Sequence, residues 1–294
     1  MLLLIRPKNF GYNPQTAESN AFQSGTSQAK VHQKAIDEFN RMIQVLNIHG
    51  IEHVVFEDSD SPPKPDAVFP NNWFSTHSKE RLVLYPMLAQ NRREERRSDI
   101  VESLQAEFNY SEAIDLTHFE DKNMFLEGTG SLVFDRVNQV AFMARSARSS
   151  VDVARELCDR LGYSLLDFTA IDSSGIPVYH TNVMMCVGEH FLLWCPEVIH
   201  DESDLKRIHE YLENAGKESI EFNEEQMKSF VGNMFEVKNQ SGSNCILLSS
   251  TARRALSTEQ IFALRNHASL LPIPVPTIEQ YGGGSVRCMV AELV

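Results

Sequence analysis

The sequence has few features of a secreted, membrane-bound or metal-bound protein. Its five cysteines are an odd number in irregular spacing without a CxxC pair, which argues against a zinc ribbon or a disulfide framework. No stretch approaches the roughly 18 apolar residues of a membrane span. The apolar start MLLLI stops at Arg6 and is too short for a signal peptide. We therefore expect a cytoplasmic protein with reduced thiols and no membrane partner.

Positive charge is also scarce. The 294 residues carry 27 Lys and Arg against 40 Asp and Glu, a formal net charge of −13. Such a chain repels nucleic-acid phosphates overall, so we expect no nucleic-acid partner. The acidity leaves room for a local basic pocket. With 42% hydrophobic and 23% charged residues, the composition is that of a globular protein able to bury a large core.

Hydrophobic periodicity predicts alternating helices and short strands. Helical periodicity recurs about every 55 residues, a coarse sign of a repeated unit, at 29–48, 90–108, 148–161, 203–214 and 257–267. Strand-like runs lie between the helices, at 51–57, 66–77, 81–86, 131–135, 139–144, 183–195, 243–250 and 288–294. Hairpins mixed with crossover helices predict an α/β fold with mixed sheets.

No linker divides the chain, so we expect a single domain over 1–294. Within it, two hairpins are predicted, one around Arg136-Val137-Asn138 and one around Glu189-His190. The run RREERR at 92–97 is expected at an exposed, solvated helix start.

Polar clusters interrupt the apolar strands at 66–73, 126–130, 179–182 and 282–288. The last two hold Cys288 and His180, the minimum pair for thiol catalysis, in which an imidazole activates a thiol that attacks an electrophilic carbon. Glycine-rich turns beside them can add backbone N–H donors.

Each of these residues also has a structural interpretation. Taken alone, Cys288 would be buried filler, His180 a hydrogen-bonded core histidine and Glu127 part of a β-turn. Asn71 and Asn72 would be ordinary turn residues after a proline. The chain has no HExxH motif and no phosphate loop, so no metal and no cofactor is expected.

Together, the four clusters resemble the guanidino-group-modifying enzymes. These include arginine and agmatine deiminases, dimethylarginine dimethylaminohydrolase, succinylarginine dihydrolase and amidinotransferases. Those families carry D-x-x-F-x-x-[DN], then E-G-[GT]-[DG], then H-x-[DN], then a glycine-rich run before a cysteine near the C-terminus. The counterparts here, in the same order, are DAVFPNN (66–72), EGTG (127–130), HTN (180–182) and GGGSVRC (282–288).

The stretches PDAVFPNNWFSTH and VYHTNVMMCVG are most similar to the citrulline-utilisation hydrolases, also called citrulline ureidases. The resemblance implies a pseudo-fivefold α/β propeller of ββαβ modules around a central polar channel. It implies a cysteine hydrolase that cleaves a C–N bond of a ureido or guanidino amino acid. Citrulline would give ornithine, carbon dioxide and ammonia.

The resemblance also assigns catalytic roles. Cys288 would be the nucleophile, His180 the general acid and then base, and Glu127 the group that orients His180 and bonds a substrate nitrogen. The planar end of the substrate would be bound by a set that includes Asp66 and the asparagine pair Asn71 and Asn72.

Two asparagines stand where deiminases hold a cationic substrate with carboxylates: Asn72 and Asn182. An asparagine offers both an acceptor and donors, which suits a neutral ureido group, whereas a buried carboxylate facing it would keep an uncompensated charge. Succinylarginine dihydrolases also tolerate asparagine in the first motif, so a guanidinium substrate stays open.

An amino-acid substrate needs a cation for its α-carboxylate, and an arginine fork suits it. The resemblance points to Arg92 or Arg93 and to Arg148, with solvated arginines at a helix start as the alternative. A homodimer is left open.

An arginine- or agmatine-type deiminase, a dimethylarginine hydrolase, an amidinotransferase and a non-catalytic binding propeller stay as alternatives. A papain-like protease is disfavoured because its cysteine precedes its histidine, whereas here His180 precedes Cys288.

Overall fold

Short strands dominate the architecture. The computed structural model describes residues 1–17, 19–24 and 30–294, and in this part of the chain fifteen strands form five three-stranded sheets. The strands are β1 (Leu2–Arg6), β2 (His53–Glu57), β3 (Phe74–His77), β4 (Arg81–Leu84), β5 (Glu112–Asp115), β6 (Val133–Asp135), β7 (Val140–Ala144), β8 (Ser164–Phe168), β9 (Met185–Val187), β10 (Phe191–Trp194), β11 (Glu218–Glu221), β12 (Phe235–Lys238), β13 (Asn244–Ser249), β14 (Ser269–Ile273) and β15 (Ala291–Glu292).

Helices connect the second and third strands of each sheet and cover the turns between sheets. In the described residues they are α1 (Pro14–Ala17), α2 (Val31–Ile48), α3 (Gln90–Arg93), α4 (Ser98–Ala106), α5 (Gly128–Ser131), α6 (Val151–Leu161), α7 (Glu202–Ala215), α8 (Glu224–Lys228), α9 (Ser250–Ala255), α10 (Thr258–His267) and α11 (Pro276–Gly282). Short 3-10 turns lie at Pro70–Asn72, Thr117–Lys122, Thr181–Val183 and Pro196–Val198. None of the described helices is long and apolar enough to cross a bilayer.

Each sheet repeats one module. A first strand pairs antiparallel with a second through a short turn, and a helical crossover then places the third strand parallel to the second, as in β6, β7 and β8. The first sheet is completed by the other end of the chain, because β15 pairs antiparallel with β1. The five modules form the pseudo-fivefold α/β propeller, which confirms the predicted fold class.

Both predicted hairpins are confirmed. Val133 pairs with Phe142 across the first turn, and Val187 pairs with Leu192 across the second. The second strands, such as β10 with four fully buried residues, are apolar on both faces because helices cover one side and neighbouring modules the other.

Four of the five predicted helices agree with the structure except at their ends, and the fifth, at 90–108, does not. The start predicted at residue 29 lies outside the described residues, and α2 begins at Val31. Residues 148–150 are not helical, because Ser150 is extended and the chain turns toward the channel before α6. The segment 90–108 is not one helix but α3 and α4 with a break between them.

The break has a physical cause that also overturns the expectation of an exposed RREERR run. Arg92 and Glu95 are 3% and 2% exposed and form a bidentate ion pair, so this stretch turns inward. A strand, β1, also forms at the N-terminus, where the apolar run had been assigned no element. The prediction of one domain over 1–294 stays a prediction.

Candidate active site

Polar turns lead into the first strand of every module, and all of these turns lie at the same end of the central channel. The side chains at these positions are Asn72 before β3, Ser131 before β6, Asn182 before β9, Asn233 before β12 and Cys288 before β15. The repeat of the fold therefore gathers residues that are far apart in sequence into one ring.

A small, tightly lined cavity lies at this end of the channel. Most residues predicted as functional line it, namely Asp66, Asn72, Arg92, Arg148, His180 and Cys288. Glu127 and Asn182 lie directly behind this lining, in contact with His180 and Cys288 respectively. The structure thus places the predicted catalytic residues around a single cavity.

Besides Asn182, two predicted substrate-binding residues, Arg93 and Asn71, do not line the cavity. Arg93 donates to the carbonyl of Met87 and pairs with Glu120 at 3.2 Å, which directs it away. Asn71 is fully buried beneath the turn, where its carbonyl accepts from Thr129 Oγ1. Of the two arginines between which the sequence left the choice open, it is Arg92 that faces the cavity.

His180 is held by a buried carboxylate. Its Nε2 lies 2.9 Å from Glu127 Oε2, and the same oxygen accepts from Arg148 Nη1 at 3.3 Å. Burial lowers the pKa of His180 to about 4, against the hydrogen bond that His180 donates to Glu127, which raises it. Burial by itself would raise the pKa of Glu127, but Arg148 and His180 together bring it well below its ordinary range. We therefore assign a neutral imidazole beside an ionised carboxylate at neutral pH.

The thiol of Cys288 has two amide neighbours. Asn182 Nδ2 lies 3.6 Å from Sγ and Asn233 Nδ2 lies 3.3 Å from it. The cysteine is 4% exposed and belongs to the turn that follows α11. By contrast, burial raises the pKa of Cys158 and Cys186 to about 12, so those cysteines are inert core thiols.

The glycines before Cys288 allow this turn to approach the N-terminal segment. Gly283 ends α11 with a φ of +65°, and a Cβ there would lie 2.5 Å from the Asn20 amide. Gly130 has a similar role on the opposite wall, since its Cβ would meet the Asn72 amide at 2.4 Å and the His180 ring at 2.8 Å. Both positions need glycine because side chains of the site occupy the space.

Arg92 fixes how Asn72 faces the cavity. Its guanidinium donates to Asn72 Oδ1 at 2.8 Å and to both oxygens of Glu95. Burial would lower the pKa of Arg92, but Glu95 and Asp66 raise it above its ordinary value, so it stays charged. Because arginine only donates, the oxygen of Asn72 must face it, and the Asn72 Nδ2 group is left without a partner among the described residues.

Three buried polar atoms around the cavity have no hydrogen-bond partner in the described residues. They are Asn72 Nδ2, Asp66 Oδ1 and Asn182 Oδ1. Buried polar groups are nearly always paired, so this set indicates a place for a polar ligand that offers both donors and acceptors.

The N-terminal segment covers the cavity. Arg148 donates to the carbonyl of Thr16 at 3.0 Å and to Ser19 Oγ at 2.6 Å, while Thr16 and Asn13 donate to Asp66 Oδ2. The two arginines that could hold an α-carboxylate are thus already bonded to the protein in this closed arrangement.

Sequence reasoning missed several residues of the site. They are Thr16, Ser19, Asn20, Glu95, Tyr179 and Asn233. A signal existed for Asn233, because Asn233-Met-Phe repeats the pattern of Asn72-Trp-Phe before a first strand. No local pattern pointed to the N-terminal residues.

Within the described residues, no group of three or more His, Cys, Asp or Glu side chains is arranged to hold a metal ion. The chemistry of the site is therefore argued from its thiol, imidazole, carboxylates and amides.

The propeller and this polar cavity define a guanidino-group-modifying enzyme of the amidinotransferase superfamily. A family model described as "N,N dimethylarginine dimethylhydrolase, eukaryotic" matches residues 6–294. The chain belongs to this family and is homologous to hydrolytic enzymes. No curated protein matches the sequence.

Solved structures share the fold at low identity. The N-terminal domain of ArgZ, an arginine dihydrolase from the ornithine-ammonia cycle in cyanobacteria, is 17% identical with a TM-score of 0.77, and the match covers 100% of this chain and 97% of that domain. AgrE bound to ornithine and NAD+ is 20% identical with a TM-score of 0.79, over 100% of this chain. The chain spans only 40% of full-length ArgZ and 39% of AgrE.

A dimethylarginine dimethylaminohydrolase is also similar over its whole length. It is a histidine variant captured as an adduct with S-methyl-L-thiocitrulline, and it is 16% identical with a TM-score of 0.69. The match covers 99% of this chain and 98% of that one. At these identities the likeness is one of fold.

Proposed function

We propose that the protein is a cysteine-dependent hydrolase that cleaves a C–N bond of a ureido or guanidino amino acid, with citrulline as the substrate. The observation that carries the proposal is the arrangement of Cys288, His180 and Glu127 around one cavity with unpartnered donors and acceptors. Ornithine, carbon dioxide and ammonia are the expected products.

The first half of the reaction forms a covalent intermediate. The proton of the Cys288 thiol passes to the neutral His180, and Sγ attacks the ureido carbon. The bond between that carbon and the δ-nitrogen then breaks, and His180 returns the proton to the departing amine. Ornithine leaves, and a carbamoyl group remains on the cysteine.

The second half returns the enzyme to its starting state. Water attacks the carbamoyl carbon while His180 takes a proton from it, and the C–S bond breaks. The thiolate recovers the proton from His180. The carbamate released decomposes to carbon dioxide and ammonia, so every atom of one water and one citrulline is accounted for.

The hydrogen-bonding capacity of the cavity favours a ureido head. The free N–H₂ of Asn72 requires an acceptor, which a ureido oxygen provides and a guanidinium does not. The free oxygens of Asp66 and Asn182 accept N–H groups, which the ureido also carries. At the other end of the substrate, Arg148 would bind the α-carboxylate after the N-terminal segment releases it.

A second candidate is the dihydrolysis of arginine. The neighbour AgrE has been solved with L-arginine and with ornithine, ArgZ is an arginine dihydrolase, and the buried Asp66 carboxylate is a fitting partner for a guanidinium. In this case the covalent route would run twice: hydrolysis of a terminal C–N bond of the guanidinium would release ammonia, and hydrolysis of the bond between the carbon and the δ-nitrogen would then release ornithine. Two waters are consumed, and the carbamate decomposes to carbon dioxide and a second ammonia.

The test is incubation of the full chain with citrulline, arginine, agmatine and dimethylarginine, with products identified by mass. Ornithine from citrulline, lost in Cys288→Ser, is expected. Ornithine from arginine without turnover of citrulline would favour the second candidate. Citrulline from arginine would identify a deiminase, and an amidino product that requires an added amine would identify a transferase. No turnover of any of these compounds would contradict hydrolysis.

A further inference from the structure

One asparagine outside the predicted motifs holds the nucleophile through three hydrogen bonds. Asn233 is 0% exposed, and its Nδ2 donates to Cys288 Sγ at 3.3 Å and to the Asn182 carbonyl at 3.0 Å. Its Oδ1 accepts from the Arg287 backbone N–H at 3.1 Å. The residue therefore links the nucleophile, the residue before it and the turn that follows His180.

These partners settle which way the amide points. The backbone N–H of Arg287 can only donate, and the carbonyl of Asn182 can only accept, so Oδ1 must face the first and Nδ2 the second. An amide rotated by half a turn would oppose donor to donor and acceptor to acceptor. The remaining N–H of Asn233 is thus directed at Sγ, whether the sulfur is protonated or not.

We propose that Asn233 is a further catalytic residue that stabilises the Cys288 thiolate before attack and again when the C–S bond breaks. The inference rests on the proposed function only in assuming that Cys288 is the nucleophile. A hydrogen bond to an ionised sulfur is stronger than one to a neutral thiol, so the contact favours the reactive form. It adds a donor fixed by the protein scaffold rather than by the substrate.

The backbone around Asn233 is built for this approach. A Cβ at Gly232 would lie 2.4 Å from the Val183 carbonyl. Glycine therefore allows the residues just before β12 to pack directly on the turn after His180. The same contact brings the turn before β12 against the turn before β9, next to Cys288. A displaced Asn233 would therefore loosen both the sulfur and the backbone of Asn182.

Other groups around the sulfur also influence its ionisation. Asp66, Arg92, Arg148 and His180 line the cavity in front of it, and Arg287 lies on the far side. All of these stay unchanged in variants at Asn233, so a change in thiol ionisation in such variants reports the amide.

The experiment is alkylation by iodoacetamide as a function of pH, without substrate, with the Cys288 peptide quantified by mass. Asn233→Asp keeps the shape, removes the donor and places a carboxylate near Sγ, and Asn233→Ala removes the amide. In Asn233→Ala we expect the pH midpoint of alkylation to rise by about 1 to 2 units, the equivalent of one lost hydrogen bond to a charged group. In Asn233→Asp it should rise further, because the carboxylate also repels the thiolate. Asn214→Ala, an exposed position, is the matched control and should not move it.

Each result has a distinct meaning. An unchanged midpoint in folded Asn233→Asp overturns the proposal, even if turnover falls. A raised midpoint together with normal melting of Asn233→Ala supports it, because that variant removes the donor without adding charge. If no ureido or guanidino compound is turned over while the midpoint still shifts, the proposed function is wrong and the role of Asn233 in thiolate stabilisation stands.

Discussion

The carboxylate of Glu127 joins His180 to Arg148. Its Oε2 is 2.9 Å from His180 Nε2 and 3.3 Å from Arg148 Nη1, and its Oε1 accepts from the backbone N–H of Leu88 at 3.1 Å. One buried carboxylate therefore orients the imidazole of His180 and balances the positive charge of Arg148. The two halves of the site, one for chemistry and one for the α-carboxylate, are coupled through it.

Replacing this carboxylate should impair catalysis much more than binding. In Glu127→Gln, His180 loses an ionised partner, so we expect kcat to fall by about 10²–10⁴, the range of general acid–base contributions. Steady-state kinetics on the substrate identified above measures this. Glu120→Gln, at an ion pair with Arg93 and Arg96 away from the cavity, is the control. An equal loss in both variants would contradict the role of Glu127.

The pH dependence should reveal an unusually acidic imidazolium. Since burial lowers the pKa of His180 to about 4, the neutral base needed at the start is present at all higher pH values. We expect kcat/KM to increase as the pH rises through about 4, where His180 loses its proton. Between about pH 6 and 7 the ionisation of His180 should no longer change kcat/KM. The same shift means that the unfolded state binds more protons between about pH 4 and 6.5, so stability falls with acidification there.

The measurement is a pH–rate profile with far-ultraviolet circular dichroism at each pH to confirm folding. An acidic limb near the ordinary histidine value of about 6.5 would show that burial does not lower the pKa of His180.

Arg148 should contribute to binding and to stability at once. In Arg148→Ala, the buried Glu127 loses its cationic partner, and breaking such a pair costs about 3–5 kcal/mol. We expect a lower melting temperature and a KM for an amino-acid substrate raised about tenfold or more, since an arginine fork is lost. Arg148→Lys keeps the charge without the fork and should recover stability more than KM. An unchanged KM in Arg148→Ala would contradict the proposed role of Arg148 in binding the α-carboxylate.

Glycines 283 and 216 allow backbone strain to be separated from crowding of the site. Both have positive φ, +65° and +62°, but a Cβ at Gly283 would strike Asn20, whereas one at Gly216 meets nothing within 4 Å. Alanine at either position should cost about 1 kcal/mol of stability through strain. Only Gly283→Ala should also reduce kcat/KM. Equal activity of the two variants would show that this glycine serves the fold alone.

A negative charge introduced at position 72 should change which substrate the enzyme prefers. Asn72→Asp replaces the unpartnered amide donor with a carboxylate oxygen, so we expect weaker ureido binding and a relative gain for guanidino compounds. The ratio of kcat/KM for citrulline and arginine measures this. Asn72→Ala, which removes the donor without adding charge, should weaken ureido turnover without the relative gain. A ratio unaffected by Asn72→Asp would contradict the argument from hydrogen-bond capacity.

Local patterns predicted an α/β fold with mixed sheets, the resemblance to a known family implied the propeller, and the errors in the predicted elements came from long-range contacts. Helical periodicity located most of α6, α7 and α10, because an apolar stripe reports which face of a helix is buried. The same method read 90–108 as one exposed helix. It could not register that Arg92 and Glu95 pair with each other inside the propeller and interact there with Asn72, which lies in another segment.

The sequence by itself determined the α/β class with mixed sheets, through its alternating strands and helices, and the order of four polar clusters whose resemblance to a known family named Cys288, His180 and Glu127 as candidates. Tertiary structure alone decided that Arg92 rather than Arg93 faces the cavity, that Thr16 and Ser19 cover it, and that Asn233 reaches the sulfur. The reason is that fivefold repetition brings together turns from every part of the chain, and the hydrogen bonds formed where they meet depend on angles and distances that local sequence does not encode.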